Sequence, residues 1–139
     1  MLSGKAELLA RQLHANQVDK AGKAYVEHLQ SVVNGLVQPT DDELAVAWLH
    51  DVVEDTVISL EQIKAEFGAT IANAIDAITK RENEPYEAYL NRVRSNDIAR
   101  KVKISDLAHN MDLSRLKEVR DKDLKRREKY KKAMAFLLN

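Results

Sequence analysis

Cysteine is absent from the 139-residue chain, which excludes disulfides, thiolate zinc sites and a cysteine nucleophile. Glycine (4) and proline (2) are scarce, too few turn-makers for an all-β fold with many hairpins. The longest apolar runs, Leu44–Leu49 and Ala133–Leu138, have six residues each. A membrane span needs about 20. The first twenty residues place Lys5, Glu7, Arg11 and Asp19 among the apolar positions, leaving no signal-peptide core. A cytoplasmic protein without membrane contact is expected. Net charge is also lacking, with 22 basic and 22 acidic residues, so binding of nucleic acid through bulk charge is not expected.

What is present describes a folded domain. The chain is 45% hydrophobic and 32% charged, outside the disordered and fibrous classes. Its length fits one domain over residues 1–139, able to bury roughly two-thirds of its unfolded surface. The balanced charge hides an asymmetry. Residues 1–91 hold 7 basic and 15 acidic residues, and residues 92–139 hold 15 and 7. Either the two parts attract one another, or late basic residues face an anionic ligand.

Helical periodicity runs almost throughout, and the fold class expected is all-α, a compact array of helices. A first helix carries Leu2, Leu9 and Leu13 and ends near Asn16; Gln17–Ala24 reads as a loop hinged at Gly22. A second helix runs from about Tyr25 to Leu36. Thr40-Asp41-Asp42-Glu43 and Ser59–Gln62 have the form of capping boxes. Phe67-Gly68 stops one helix, and Ile71, Ala74, Ile75 and Ile78 mark the next. Glu84-Pro85 opens another, a long helix starts near Asp97, and Lys122–Leu138 forms the last. Its lysines read as a solvated face. Leu124, Tyr130, Ala133, Phe136 and Leu137 give it an apolar side to dock on the body or on a second subunit, which leaves a homodimer open. Trp48, His14 and His109 read as packing residues.

The chemically informative window is Ala45–Ile58, AVAWLHDVVEDTVI. On a helix, His50 and Glu54 are i,i+4 neighbours, and so are Asp51 and Asp55. Clustered acids at the end of an apolar segment are costly unless hydrogen bonds or a cation compensate. The plain alternative is a polar helix end reaching solvent. His28 on the preceding helix and Asp106 on a late one would complete a mixed N/O ligand set with His50 and Asp51. Such a set suits a first-row divalent ion. The ion would polarise a phosphoryl oxygen and acidify a water. Glu54 and Asp55, one turn on, would orient or deprotonate that water.

The order His…His-Asp…Asp resembles the HD superfamily of metal-dependent phosphohydrolases. HANQVDKAGKAYVEH (His14–His28) is similar to the segment HxxQxRKxGxPYxxH of the RelA/SpoT-type hydrolases. LHDVVEDT (Leu49–Thr56) resembles their LHDxxEDT, Phe67–Lys80 their FG…VTK segment, and VKISDLAHNM (Val102–Met111) their VKLADRLHNM. The likeness covers about residues 10–116. It implies an all-α, stand-alone hydrolase domain that removes the 3′-pyrophosphate of guanosine tetra- or pentaphosphate, usually with Mn²⁺. By resemblance His28, His50, Asp51 and Asp106 are metal ligands, and Glu54 and Asp55 activate water. Asn110 and Lys20 contact the nucleotide, with Tyr25 and Lys103 as further substrate-site candidates. Asp19 stands where the family has the Arg that stacks on guanine, a contact no carboxylate reproduces. Ala24, Leu29 and Leu107 are further departures. A hydrolase for another nucleotide or a phosphomonoester therefore stays open, as does an idle module that binds a nucleotide or protein.

Overall fold

A computed structural model describes residues 1–139, and its elements are all helical. They are α1 (Leu2–Leu13), α2 (Tyr25–Asn34), α3 (Asp41–Leu49), α4 (Val52–Asp55), α5 (Leu60–Phe67), α6 (Ala69–Ile78), α7 (Tyr86–Arg94), α8 (Asp97–Asn110) and α9 (Asp121–Leu138). A 3-10 turn, Leu113–Arg115, lies between α8 and α9. The expected all-α class is borne out. The one β-type pairing is an isolated bridge, Val18 with Ala24, which closes the loop around Gly22.

α3 is the centre of the array. Ala45, Val46, Ala47, Trp48 and Leu49 are all buried, which leaves no polar face along these residues. The helix is accordingly covered by α1, α2, α6 and α8. Thr40 starts it as expected: its hydroxyl accepts from the Glu43 N–H at 3.1 Å and the Glu43 carboxylate accepts from the Thr40 N–H at 3.3 Å. Ser59 and Gln62 repeat the arrangement at α5. Gly68, at φ 91° and ψ 171°, joins α5 to α6 in a conformation essentially reserved for glycine.

The expectation of i,i+4 pairs on one continuous helix through residues 45–58 needs correction. α3 ends at Leu49, the chain turns through His50 and Asp51, and α4 restarts at Val52. Consecutive residues of an intact helix point about 100° apart. The turn, with Asp51 at φ −110° and ψ 0°, lets both side chains meet: His50 Nε2 and Asp51 Oδ2 are 3.1 Å apart. The Asp51–Asp55 turn keeps its helical bond, Asp55 N–H to Asp51 O at 2.9 Å.

α2 and α8 are locked side by side. The Ser105 hydroxyl donates to the Val32 carbonyl at 2.7 Å, and Gly35 closes α2 directly above it. A Cβ at Gly35 would lie 2.3 Å from Ser105 Oγ. Gly35→Ala is therefore expected to destabilise the fold by about 1–3 kcal/mol, the usual range for overpacking, in a denaturant titration. Gly35→Ala combined with Ser105→Ala should recover the space, since Ser105 Cβ lies 3.5 Å from the new Cβ, and lose the hydroxyl bond.

α9 packs its buried Ala133 and Leu137 against the body, mainly on α8 and α7, while Lys122, Lys125, Lys129, Lys131 and Lys132 are exposed. The early acids and late bases also pair directly, Glu43 with Lys101 at 3.3 Å and Asp19 with Arg115 at 2.8 Å.

Candidate metal centre

Three elements bring their polar side chains to one buried point. His28 comes from the first turn of α2, His50 from the end of α3 and Asp106 from the buried side of α8. Donor atoms of these three residues all lie within 4.8 Å of one another. His28 Nε2 is 2.9 Å from Asp106 Oδ1, and His50 Nε2 is 3.3 Å from the same oxygen.

His50 has its other nitrogen fixed, because Nδ1–H donates to the Ala47 carbonyl at 2.7 Å. Nε2 is then the acceptor, buried and without a hydrogen-bond partner. An imidazole with one nitrogen tied to a carbonyl and the other lone pair free is the usual form of a metal-ligating histidine. The donor set of two imidazoles and a carboxylate fits a first-row divalent ion. Burial works to lower the His50 pKa, but Asp51 and Asp106 outweigh it and raise it well above the ordinary imidazole value. The same two acids that would share a cation with His50 hold a proton on it otherwise.

Asp51 stands at the edge of this group. Its Oδ2 faces His50 and also accepts the Tyr25 hydroxyl proton. Burial pushes its carboxyl up, and His50 with Tyr25 outweighs that and lowers it. Asp106 follows the same logic more strongly. Burial raises it, while Lys103, His28 and His50 together bring it well below the carboxylate range. Lys103 Nζ sits 3.1 Å from Asp106 Oδ2 and 5.4 Å from the Tyr89 ring centre. Its charge survives burial because of that partner.

Two residues expected at the substrate thus have other work. Tyr25 spends its hydroxyl on Asp51, and Lys103 spends its ammonium on Asp106. Asn110 also reaches Asp106, Nδ2 to Oδ1 at 3.3 Å, from the side of a crevice of about 30 Å³. Lys20, Arg115, Arg126 and Tyr130 line that crevice with it. Partial burial lowers the Lys20 pKa, and the nearby Arg126 lowers it further. Glu54 and Asp55 are exposed rather than buried. Partial burial and the Asp51 charge raise both carboxyls above their usual values, with each other's neighbourhood adding to the shift at Glu54.

Asp19 is occupied with its own loop. Oδ1 accepts from the Ala21 N–H at 2.9 Å and the Lys23 N–H at 3.1 Å, and Oδ2 takes the Arg115 guanidinium at 2.8 Å. Burial alone would raise its pKa, and these hydrogen bonds with Arg115 bring it below the usual value. Asp19→Ala is expected to cost about 2 kcal/mol at pH 7, the scale of a charged hydrogen-bonded group. A depressed carboxyl stabilises fully above its unfolded pKa of about 3.9 and loses that contribution as pH falls through the folded value. Denaturant melts of wild type and variant should therefore converge only below about pH 4.

Sequence reasoning missed His109, Arg115 and Arg126 as parts of the site's surroundings. His109 was legible in part, lying three residues after Asp106 on the same helix. Arg115 carries no local signal, since its partner is 96 residues away.

A family model described as HD domain matches residues 6–134. The chain belongs to the HD domain family. Among curated proteins it is similar to the guanosine-3′,5′-bis(diphosphate) 3′-pyrophosphohydrolase of Haemophilus influenzae, 33% identical over 75% of this chain and 17% of that protein. A probable enzyme of the same name from Synechocystis is 44% identical over 55% of this chain and 10% of its own. This HD domain therefore spans about a sixth or less of the length of these relatives. The solved structure of a metazoan ortholog of SpoT, titled as hydrolysing ppGpp and playing a role in starvation responses, superposes with a TM-score of 0.80. It is 22% identical and is covered over 85% of its length by 99% of this chain, a likeness of fold. The RelA/SpoT-type resemblance of the sequence is borne out by these relatives. The HD domain contains no helix long and apolar enough to cross a membrane.

Proposed function

We propose that residues 1–139 form one hydrolase unit that removes the 3′-pyrophosphate of guanosine tetra- or pentaphosphate, giving GDP or GTP and pyrophosphate. The observation that carries this reading is the buried His28, His50 and Asp106 cluster, with the exposed Glu54 and Asp55 close enough to Asp51 to feel its charge. The relatives' names supply the substrate class. A divalent cation, Mn²⁺ by resemblance, would be held by His28, His50 and Asp106 with Asp51 beside them, supplying Lewis acidity to a phosphoryl oxygen and acidifying a water.

The chain's own groups divide the remaining tasks. Glu54 takes the proton of the attacking water, its carboxyl made more basic than usual by partial burial and the Asp51 charge. Asp55 orients the same water. The hydroxyl from water ends on the 3′ phosphorus, the bond from that phosphorus to the ribose 3′ oxygen breaks, and the 3′ oxygen leaves with a proton. Tyr25 and Lys103 hold the Asp51 and Asp106 carboxylates in place. Lys20, Arg115 and Arg126 reach the crevice beside Asn110 together with Asp112 and Asp123; Arg115 and Arg126 pair with Asp19 and Asp123, which makes Lys20 the cation there suited to a phosphate group.

The test is Mn²⁺-dependent release of pyrophosphate from ppGpp by the purified protein. Release that needs both metal and an intact site supports the reading. Metal binding without release from ppGpp or pppGpp would overturn the substrate assignment. One observation favours a second reading, the same hydrolysis on a nucleotide with another base: Asp19 is pinned by Arg115 and unable to act as a cationic stacking surface. A panel of 3′-phosphorylated nucleotides decides between them.

A further inference from the structure

We propose that His109 is a positioning residue of the metal centre, holding His28 in the tautomer that leaves Nε2 free for a cation. The inference rests on the reading of His28 as a metal ligand and adds a residue to it. His28 is 4% exposed, so both its nitrogens must find partners inside the protein. Nε2 faces Asp106 Oδ1 at 2.9 Å. Nδ1 lies 2.6 Å from His109 Nδ1, with the two rings 4.8 Å apart between centroids and tilted by 33°.

Proton accounting at that contact is restrictive. Two facing ring nitrogens at hydrogen-bond distance share one proton. A neutral His28 carries a single proton. If it sits on Nε2, it is donated to Asp106 and no lone pair faces the centre. If it sits on Nδ1, it is donated to His109 Nδ1, and the Nε2 lone pair points at Asp106 and His50. A cation at the centre requires the second arrangement. His109 must then accept at Nδ1 and carry its own proton on Nε2.

The two ligating histidines are thus oriented by different means. His50 donates to a backbone carbonyl, whereas His28 donates to a side chain. The side chain belongs to the helix that bears Asp106, three residues on. α8 thereby supplies one ligand and orients another, and the Ser105–Val32 bond fixes its distance from α2.

Three measurements test this. Long-range ¹H–¹⁵N NMR on the Zn²⁺-loaded wild type reads the tautomers directly, with His28 expected protonated at Nδ1 and His109 at Nε2. His109→Phe keeps a ring of similar size without an acceptor; its Co²⁺ affinity should fall about 10–100-fold, and the unpaired His28 Nδ1 should lower the melting temperature of the metal-free protein modestly. His109→Asn, whose Oδ1 can stand in for Nδ1, should recover affinity to within a few-fold. Wild-type Co²⁺ affinity in His109→Phe, or His109 protonated at Nδ1, would overturn the proposal and leave the hydrolase reading standing. Metal binding that depends on His109 in a protein that does not cleave ppGpp would do the reverse. Should His109→Phe not fold, the wild-type tautomers still decide.

Discussion

Asp106→Ala is expected to lose stoichiometric metal binding and to lower turnover at least about 1,000-fold, since the cation's share of transition-state stabilisation is several kcal/mol. Asp106 Oδ1 lies between the two imidazoles, 2.9 Å from His28 Nε2 and 3.3 Å from His50 Nε2. Without it two imidazoles and the Asp51 carboxylate remain, one negative charge fewer against a divalent ion. The substitution also leaves Lys103 half-buried and unpaired, and orphaning one member of a buried ion pair commonly costs about 3–5 kcal/mol. Loss of activity alone would then be ambiguous. Asp106→Ala with Lys103→Met removes both charges and should regain stability without regaining metal. Metal analysis and melting curves on the pair separate the two effects, and substantial turnover in Asp106→Ala would contradict the ligand assignment.

Glu54→Gln should behave in the opposite way, keeping its metal and losing rate. The carboxyl is exposed and lies outside the group of donor atoms from His28, His50 and Asp106, so those donors are untouched. What is lost is the proton acceptor, and removal of a general base typically costs about 10²–10⁴-fold in turnover. Burial and the neighbouring Asp51 and Asp55 charges raise its pKa. The low-pH limb of the wild-type rate should accordingly lie above the pH at which an ordinary glutamate titrates. In Glu54→Gln that limb should disappear from the residual rate. A variant with wild-type turnover would remove Glu54 from the chemistry and leave Asp55 as the candidate base.

The legible parts of the fold are those written in local rules. Thr40 and Ser59 announce their helices because a capping hydroxyl and its partner lie three residues apart. Gly68 marks a boundary because it takes φ 91° without strain, and Pro85 because its fixed φ and missing N–H suit a helix start and not its interior. The break at His50-Asp51 was not legible. Val52 and Val53 continue the apolar pattern of α3, and only the demand that two adjacent side chains face one point ends the helix there. The motifs named the residues that cluster at His28, His50 and Asp106, but not which side chain pairs with which. Tyr25 and Lys103 read as substrate contacts because they are polar and near the motif, whereas the fold turns each onto a carboxylate. Asp19 read as a mere loss of a contact, and Arg115 gives it a structural partner that no local pattern announces.

The spread of the centre's donors along the chain bears on biosynthesis. His28 and His50 leave the ribosome early, while Asp106 follows 56 residues after His50. Two imidazoles on a growing chain make a weak, unselective grip. The full set exists only once α8 has docked beside α2 and α3. Under the proposed ligand assignment, metal would load only after that docking, and an ion bound only by the finished fold would add to its stability in turn.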